Sequence, residues 1–305
     1  MFDGKLPECL HNLTNLHILD LSNNLFIGNF PSFTTNLTSL AYMSLSGNYL
    51  QGSFSLSTLA NHSKLQALYI SSEIPGAQIE TEKTSWFPKF QLTILNLRCC
   101  NINKDKGSII PSFLLYQYDL RVVDLSNNKL VGEFSNWFIK DNTRLNAIYL
   151  RNNSFAGNFH LFSTSHELQY IDMSNNNISG VLQKDIGNLL PEVSNLNLSM
   201  NIFEGNIPTS IGEMKELNFL QGSISIFAYG SSIQSLYLSN NNFSGTLKEI
   251  LKFNRQLSIL DLSNNSISGA IPSSIGKFTS MTIFLAAENK LQGEIPFDFS
   301  NISSL

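Results

Sequence analysis

The sequence predicts an α/β-type repeat solenoid: a right-handed superhelix with a concave parallel β-sheet and an irregular or 3-10 convex side. Three observations predict it. Apolar residues recur in one frame about every 24 residues, a period typical of solenoid coils. At the centre of each frame stands Leu-x-Leu, the alternation of a short strand buried on one face. Asn follows at a constant offset, with Gly and often Ile-Pro beyond it.

The first clear copy runs Leu13, Leu16, Leu19, Leu21, Asn24, then Phe26, Gly28, Phe30 and Pro31. Leu37-Leu40-Met43-Leu45-Asn48-Leu50-Gly52 repeats it, and Leu120-Val123-Leu125-Asn128-Leu130-Gly132 restores it after a less regular stretch. Later strand and ladder positions fall at Leu150 and Asn153, Met173 and Asn176, and Leu198 and Asn201. The array continues through Leu238 and Asn241, Leu262 and Asn265, and Ala286 and Asn289. Residues 1–305 thus read as a single solenoid of about twelve repeats.

Each frame position has a physical task. Stacked Leu-x-Leu segments place one side chain in two into a continuous apolar core, and the intervening residues face out on the concave side. The Asn stands where the coil turns inward, so its amide can satisfy buried backbone groups of its own and neighbouring turns. Asn24, Asn48, Asn128, Asn153, Asn176, Asn201, Asn241, Asn265 and Asn289 should therefore form a ladder. Cys100 takes that place in one coil, a substitution the repeat accepts, whereas Glu73 breaks it in another. Gly permits a tight bend, and Pro after Ile fixes an extended segment.

Two stretches leave the frame. Residues 71–91 lengthen their coil to about 27 residues and carry Trp86, Phe87 and Phe90 beside acidic residues. Such an insertion reads either as a bulged convex loop pinned by its aromatics or as a ligand-contacting loop. Residues 214–229 leave a coil of about 16 residues, too short to go round, and read as a degenerate repeat with a strained local stack.

Composition narrows function. Hydrophobic residues make up 42% and charged residues 14%, so Asn and Ser carry much of the surface polarity. A net charge of -4 without a Lys/Arg cluster gives no electrostatic reason to expect nucleic acid or a lipid surface as partner. No apolar run is long enough to span a bilayer, and Met1 opens on Phe-Asp-Gly-Lys, unlike a signal peptide. Cys9, Cys99 and Cys100 offer no spaced pairs, hence neither a disulfide framework nor a zinc site. His11, His17, His62, His160 and His166 fall mostly at variable positions without partnered acids, and no phosphate loop or nucleophile elbow appears. The expectation is no enzyme, no catalytic residue, no metal and no cofactor.

Asn-x-Ser/Thr triplets occur at Asn12, Asn36, Asn61, Asn152, Asn177, Asn197, Asn242, Asn264 and Asn301. Asn12, Asn36, Asn61 and Asn301 share one phase of the repeat, which suggests a row of exposed glycans.

The fullest motif, L-x-x-L-x-x-L-x-L-S-x-N-x-L-x-G-x-I-P, is seen from Leu257 to Pro272 and resembles the plant extracellular leucine-rich repeat. The blocks Pro111–Gly132 and Leu6–Thr14 resemble plant receptor-like proteins in particular. That resemblance implies an ectodomain on the extracellular side of the cell membrane, held by an anchor outside this chain. It also implies a peptide or protein ligand and a kinase co-receptor, in defence or development. The family's signal peptide, cysteine-paired caps and membrane helix do not occur here, so a fragment of an ectodomain is expected. An ectodomain of a receptor-like kinase and a secreted inhibitor of a wall-degrading enzyme are the competing readings.

Solenoids of this kind bind on the concave face. The outward position of each Leu-x-Leu gives Asp20, Ser44, Tyr69, Asn96, Asp124, Tyr149, Asp172, Asn197, Tyr237, Asp261 and Leu285, with Tyr42 and Tyr170 one position earlier. Tyr69, Tyr149, Arg151, Tyr170 and Tyr237 are the candidate ligand contacts, because Tyr and Arg are enriched at binding hot spots. Tyr also suits an exposed strand for its own sake, and a glycan on Asn152 or Asn197 would shield part of this surface.

Overall fold

Each Leu-x-Leu of the frame forms a three-residue parallel strand. The computed structural model describes residues 1–302 except 73, 75, 83–85, 134–136, 162–166, 214–232 and 252–256. Glu73, parts of the 71–91 insertion and the degenerate repeat 214–229 therefore lie outside the described residues. The chain divides into two compact units, Met1–Phe155 and Ala156–Leu305.

In the first unit, Ile18–Asp20, Tyr42–Ser44, Ala67–Tyr69, Ile94–Asn96, Val122–Asp124 and Ala147–Tyr149 pair in that order. The register puts Leu19, Met43, Leu68, Leu95, Val123 and Ile148 side by side, and all six are buried. A buried Val, Leu or Ile contributes about 1.5–3 kcal/mol, so this row alone binds the coils strongly. In the second unit, Tyr170–Asp172, Asn195–Asn197, Ser235–Tyr237, Ile259–Asp261 and Ile283–Leu285 pair likewise. Asn195–Asn197 pairs directly with Ser235–Tyr237, in register through Leu196 and Leu236.

The convex side is more regular than the sequence suggests. Beyond the ladder, Leu25–Asn29, Tyr49–Ser55 and Ala77–Glu80 form a second parallel sheet, with Asp3–Gly4 at its edge. Its side chains alternate: Phe26, Leu50, Phe54 and Ile79 point into the core while Ile27, Tyr49 and Gln51 are exposed. The apolar alternation there is too short to stand out from the 24-residue frame. The 3-10 helices Glu8–Asn12, Ser32–Asn36, Ser273–Lys277 and Phe297–Asn301 complete their coils, each preceded by an extended proline. Fixing φ there aims the chain from the second sheet into the helix.

Asparagines at one offset bond across successive coils. Asn128 is buried and its Nδ2 donates to Leu125 O and Leu97 O at 2.8 Å and to Ser126 O at 3.1 Å. Its Oδ1 accepts the amide of Cys100 at 2.8 Å. The same set recurs at Asn48, Asn201, Asn265 and Asn289. Asn241 takes up the ladder directly after Asn201, donating to Leu198 O at 3.0 Å and accepting from Phe203 N at 3.0 Å. Cys100 substitutes with its thiol, which approaches Ile70 O at 3.1 Å and Arg98 O at 3.3 Å. Burial, with Cys99 and Asp124 adding to it, drives that thiol far above its ordinary pKa, so it stays a neutral donor.

The residue before each ladder Asn adopts the left-handed region, a requirement the sequence reading did not register. Asn23, Asn127, Asn152, Asn175, Asn240 and Asn264 have φ between 51° and 60°. Asn tolerates this region better than other non-Gly residues, and Gly47 fills the place in one coil. The paired Asn-Asn of the sequence therefore does two jobs: the first residue turns and the second bonds.

A second polar row also escaped the pattern. Where other coils place a leading Leu, three hold His62, Gln117 and Asn142, all buried. Gln117 accepts from Leu92 N and donates to Phe90 O; Asn142 accepts from Leu120 N and donates to Gln117 O. His62 Nε2 lies 2.9 Å from Thr34 O and Nδ1 3.2 Å from Leu59 O. Burial holds its pKa below the ordinary value, outweighing the two carbonyls that favour charge. On acidification the unfolded chain takes up this proton first, so His62 supports the fold above about pH 6.5 and loses that support as pH falls further. The unfolding midpoint should drop between pH 7.5 and the acid range in part because of His62, and His62→Gln should flatten that drop; equal slopes would refute the assignment.

Candidate ligand-binding face

On the concave surface the Asp and Asn side chains turn back on their own coils. Asp20 Oδ1 accepts from Ser22 N and Oγ, and Asp172 does so from Ser174. Asp124 accepts from Ser126 N, Asp261 from Ser263 N, Asn96 from Arg98 N, and Asn197 from Ser199 N and Oγ. These local turns lower the pKa of Asp20, the Ser22 hydroxyl being the larger cause and its amide the second. Such side chains close each strand, so they contribute less to recognition than their chemistry suggests.

A tyrosine cannot reach back to the amide two residues on. In the first unit Tyr69 ends the strand Ala67–Tyr69 and stacks, tilted, on Tyr42 at 5.5 Å between ring centroids. Desolvation, and then the neighbouring Tyr42, raise its phenol pKa. Tyr149 ends Ala147–Tyr149, half-buried, with Arg151 exposed two residues on. In the second unit Tyr170 opens Tyr170–Asp172 and is 41% exposed, while Tyr237 ends Ser235–Tyr237 half-buried. The tyrosines thus fall into two groups: Tyr69 and Tyr149 with Arg151 in the first unit, Tyr170 and Tyr237 in the second.

Two residues that the sequence reading passed over join the first group. Arg98 and Arg121 are exposed beside the strands Ile94–Asn96 and Val122–Asp124, in the same unit as Tyr149 and Arg151. Their positions in the frame, two after and one before a strand, were the available signal.

The sequons occupy four structural positions. Asn12, Asn36 and Asn301 each end a 3-10 helix and Asn61 follows one; all four are exposed. Asn152 and Asn264 stand in the left-handed row and donate to Asn127 and Asn240 Oδ1. Asn177 and Asn242 follow the ladder, exposed, and Asn197 sits on the concave strand face, half-buried. Among the described residues no group of three or more His, Cys, Asp or Glu could hold a metal ion, and no helix is long and apolar enough to cross a membrane.

The family model described as Leucine Rich Repeat matches residues 15–37, 119–140, 167–189, 232–254 and 256–278. Receptor-like protein 14 of Arabidopsis thaliana is 45% identical over 258 residues, covering 82% of this chain and 26% of that protein. The chain is a leucine-rich-repeat protein homologous to the plant receptor-like proteins. It spans about a quarter of the length of the curated relatives it matches. Among solved structures, the leucine-rich-repeat ectodomain of the Arabidopsis receptor kinase GASSHO1/SCHENGEN3, in complex with CASPARIAN STRIP INTEGRITY FACTOR 2, superposes with a TM-score of 0.70. It is 26% identical, covering all of this chain and 39% of that one. The Arabidopsis receptor kinase HAESA, in complex with the peptide hormone IDA and the co-receptor SERK1, gives a TM-score of 0.64 at 25% identity, covering 99% of this leucine-rich-repeat chain and 55% of that one.

Proposed function

We propose that the chain is a ligand-binding ectodomain segment of a plant cell-surface receptor-like protein. It takes a peptide or protein ligand on its concave face and passes the signal to a kinase co-receptor on the extracellular side of the membrane. The observation that carries this reading is the division of labour on the concave face. Its acids and amides are engaged by their own backbone, while Tyr42, Tyr69, Tyr149, Arg98, Arg121 and Arg151 offer aromatic surface and positive charge. Aromatic rings next to guanidinium groups fit an extended peptide carrying a carboxylate. The peptide and co-receptor named in the HAESA complex support both partners by homology.

The test is a binding screen of secreted plant peptides against the intact ectodomain, followed by Tyr149→Ala with Arg151→Ala. Losing two hot-spot residues should raise Kd at least about 30-fold, the equivalent of about 2 kcal/mol. The unfolding curve should not move, because both side chains lie outside the core. Unchanged affinity would place the ligand elsewhere.

A further inference from the structure

The insertion leaves one aromatic cluster divided between core and solvent. Trp86 donates from Nε1 to Thr81 O at 2.7 Å and stacks on Phe113 at 5.7 Å, while Phe90 is buried against both rings. Phe87 stays 62% exposed and meets Tyr116 edge to face at 5.2 Å; Tyr116 is itself 45% exposed. Exposed rings gathered in this way mark a surface that receives something.

The frame identifies what lies next to them. Aligning the buried positions Leu37, His62 and Gln117 puts Asn36, Asn61 and Tyr116 at one repeat position; Asn36 and Asn61 are on successive turns, and the turn that carries Phe87 lies between those of Asn61 and Tyr116. Lys89 N donates to Ala60 O at 2.9 Å, which sets the Phe87–Lys89 segment directly against the turn that bears Asn61. Asn61, in Asn61-His62-Ser63, is fully on the surface, one coil from the Phe87 ring. Gln91 fixes the far side of the cluster by bonding Tyr116 O at 2.7 Å and Tyr118 N at 3.1 Å.

We propose that Phe87 and Tyr116 form a platform on which the N-glycan of Asn61 rests. A pyranose has one face of C–H groups, and that face packs on an aromatic ring as another apolar group would, while its hydroxyls stay in water. The core N-acetylglucosamine leaves Asn61 at the distance of one coil, so it reaches the Phe87 ring without crossing the array. The exposed sequon one coil away is what favours carbohydrate as the occupant. Asn36 has no such platform: the matching turn ahead of it presents Ala60 and Asn61, neither of them aromatic.

That difference makes Asn36 an internal control. The chain is expressed as an ectodomain in a eukaryotic secretory host, and endoglycosidase release is followed site by site on the folded protein by peptide mass spectrometry. Release at Asn61 should be about tenfold slower than at Asn36, the effect of roughly 1.4 kcal/mol of stacking. Phe87→Ala should bring the two rates together, and Tyr116→Ala should do so in part. Both residues are surface-exposed, and an unfolding curve on each variant confirms that the array stands. An unmodified Asn61, equal rates in the wild type, or a rate unaffected by Phe87→Ala would each overturn the proposal.

Discussion

Gly187→Ala is expected to destabilise the second unit by about 3 kcal/mol, the upper end of what overpacking costs. Gly187 is buried in the short helix Ile186–Leu189 and its backbone is not in the left-handed region, so local propensity alone would favour Ala by about 1 kcal/mol. The neighbouring coil reverses the sign. A Cβ on Gly187 would lie inside contact distance of the Ser210 carbonyl and 3.1 Å from Ile211 N, and these are main-chain atoms that cannot swing aside. The Gly187 amide also donates to Ser210 Oγ at 3.1 Å, which holds the two coils at this separation. Asn188→Ala, exposed in the same helix, should change stability by no more than about 0.5 kcal/mol. Urea unfolding followed by circular dichroism separates the two; similar midpoints would show that the coils can part at no cost. Gly276, whose Cβ would collide with the Asp298 carbonyl, should behave as Gly187 does.

Asn128→Leu is expected to cost the first unit about 4 kcal/mol although it preserves volume and adds apolar surface. The substitution leaves the carbonyls of Leu97, Leu125 and Ser126 and the amide of Cys100 without their bonds, and each buried group so abandoned costs about 1–3 kcal/mol. Asn128→Cys should lose less, because the Cys100 thiol already reaches two carbonyls from the same position in the coil before. Equal losses for Leu and Cys would mean that the carbonyls find water instead. At the half-buried Asn24 water can replace the amide, and the same change should be much milder.

The strands, the apolar row and the asparagine ladder were legible because each depends on one residue type at one offset. Asn128 and Asn201 each bond their own and the preceding coil, and the Cys100 thiol approaches two carbonyls from the same place. The second sheet was not legible, since Leu25–Asn29 alternates over only five residues within a longer period. The buried His62, Gln117 and Asn142 were missed for a related reason: polar residues at a leading-Leu position look like lapses of the pattern until their partners in the adjacent coil are seen. On the concave face the tyrosines were visible in sequence. Sequence alone could not show that Asp20 or Asp172 is held by its own turn, because that depends on side-chain reach.

The ladder also has a direction in time. Each asparagine serves the coil before its own: Asn48 accepts the amide of Phe26, and its Nδ2 donates back to Leu21 O. A ribosome makes Phe26 before Asn48, so that amide has no protein acceptor until the following turn has been synthesised. A coil bonded in this way is completed by its successor, so its full set of hydrogen bonds can form only one repeat behind the growing chain.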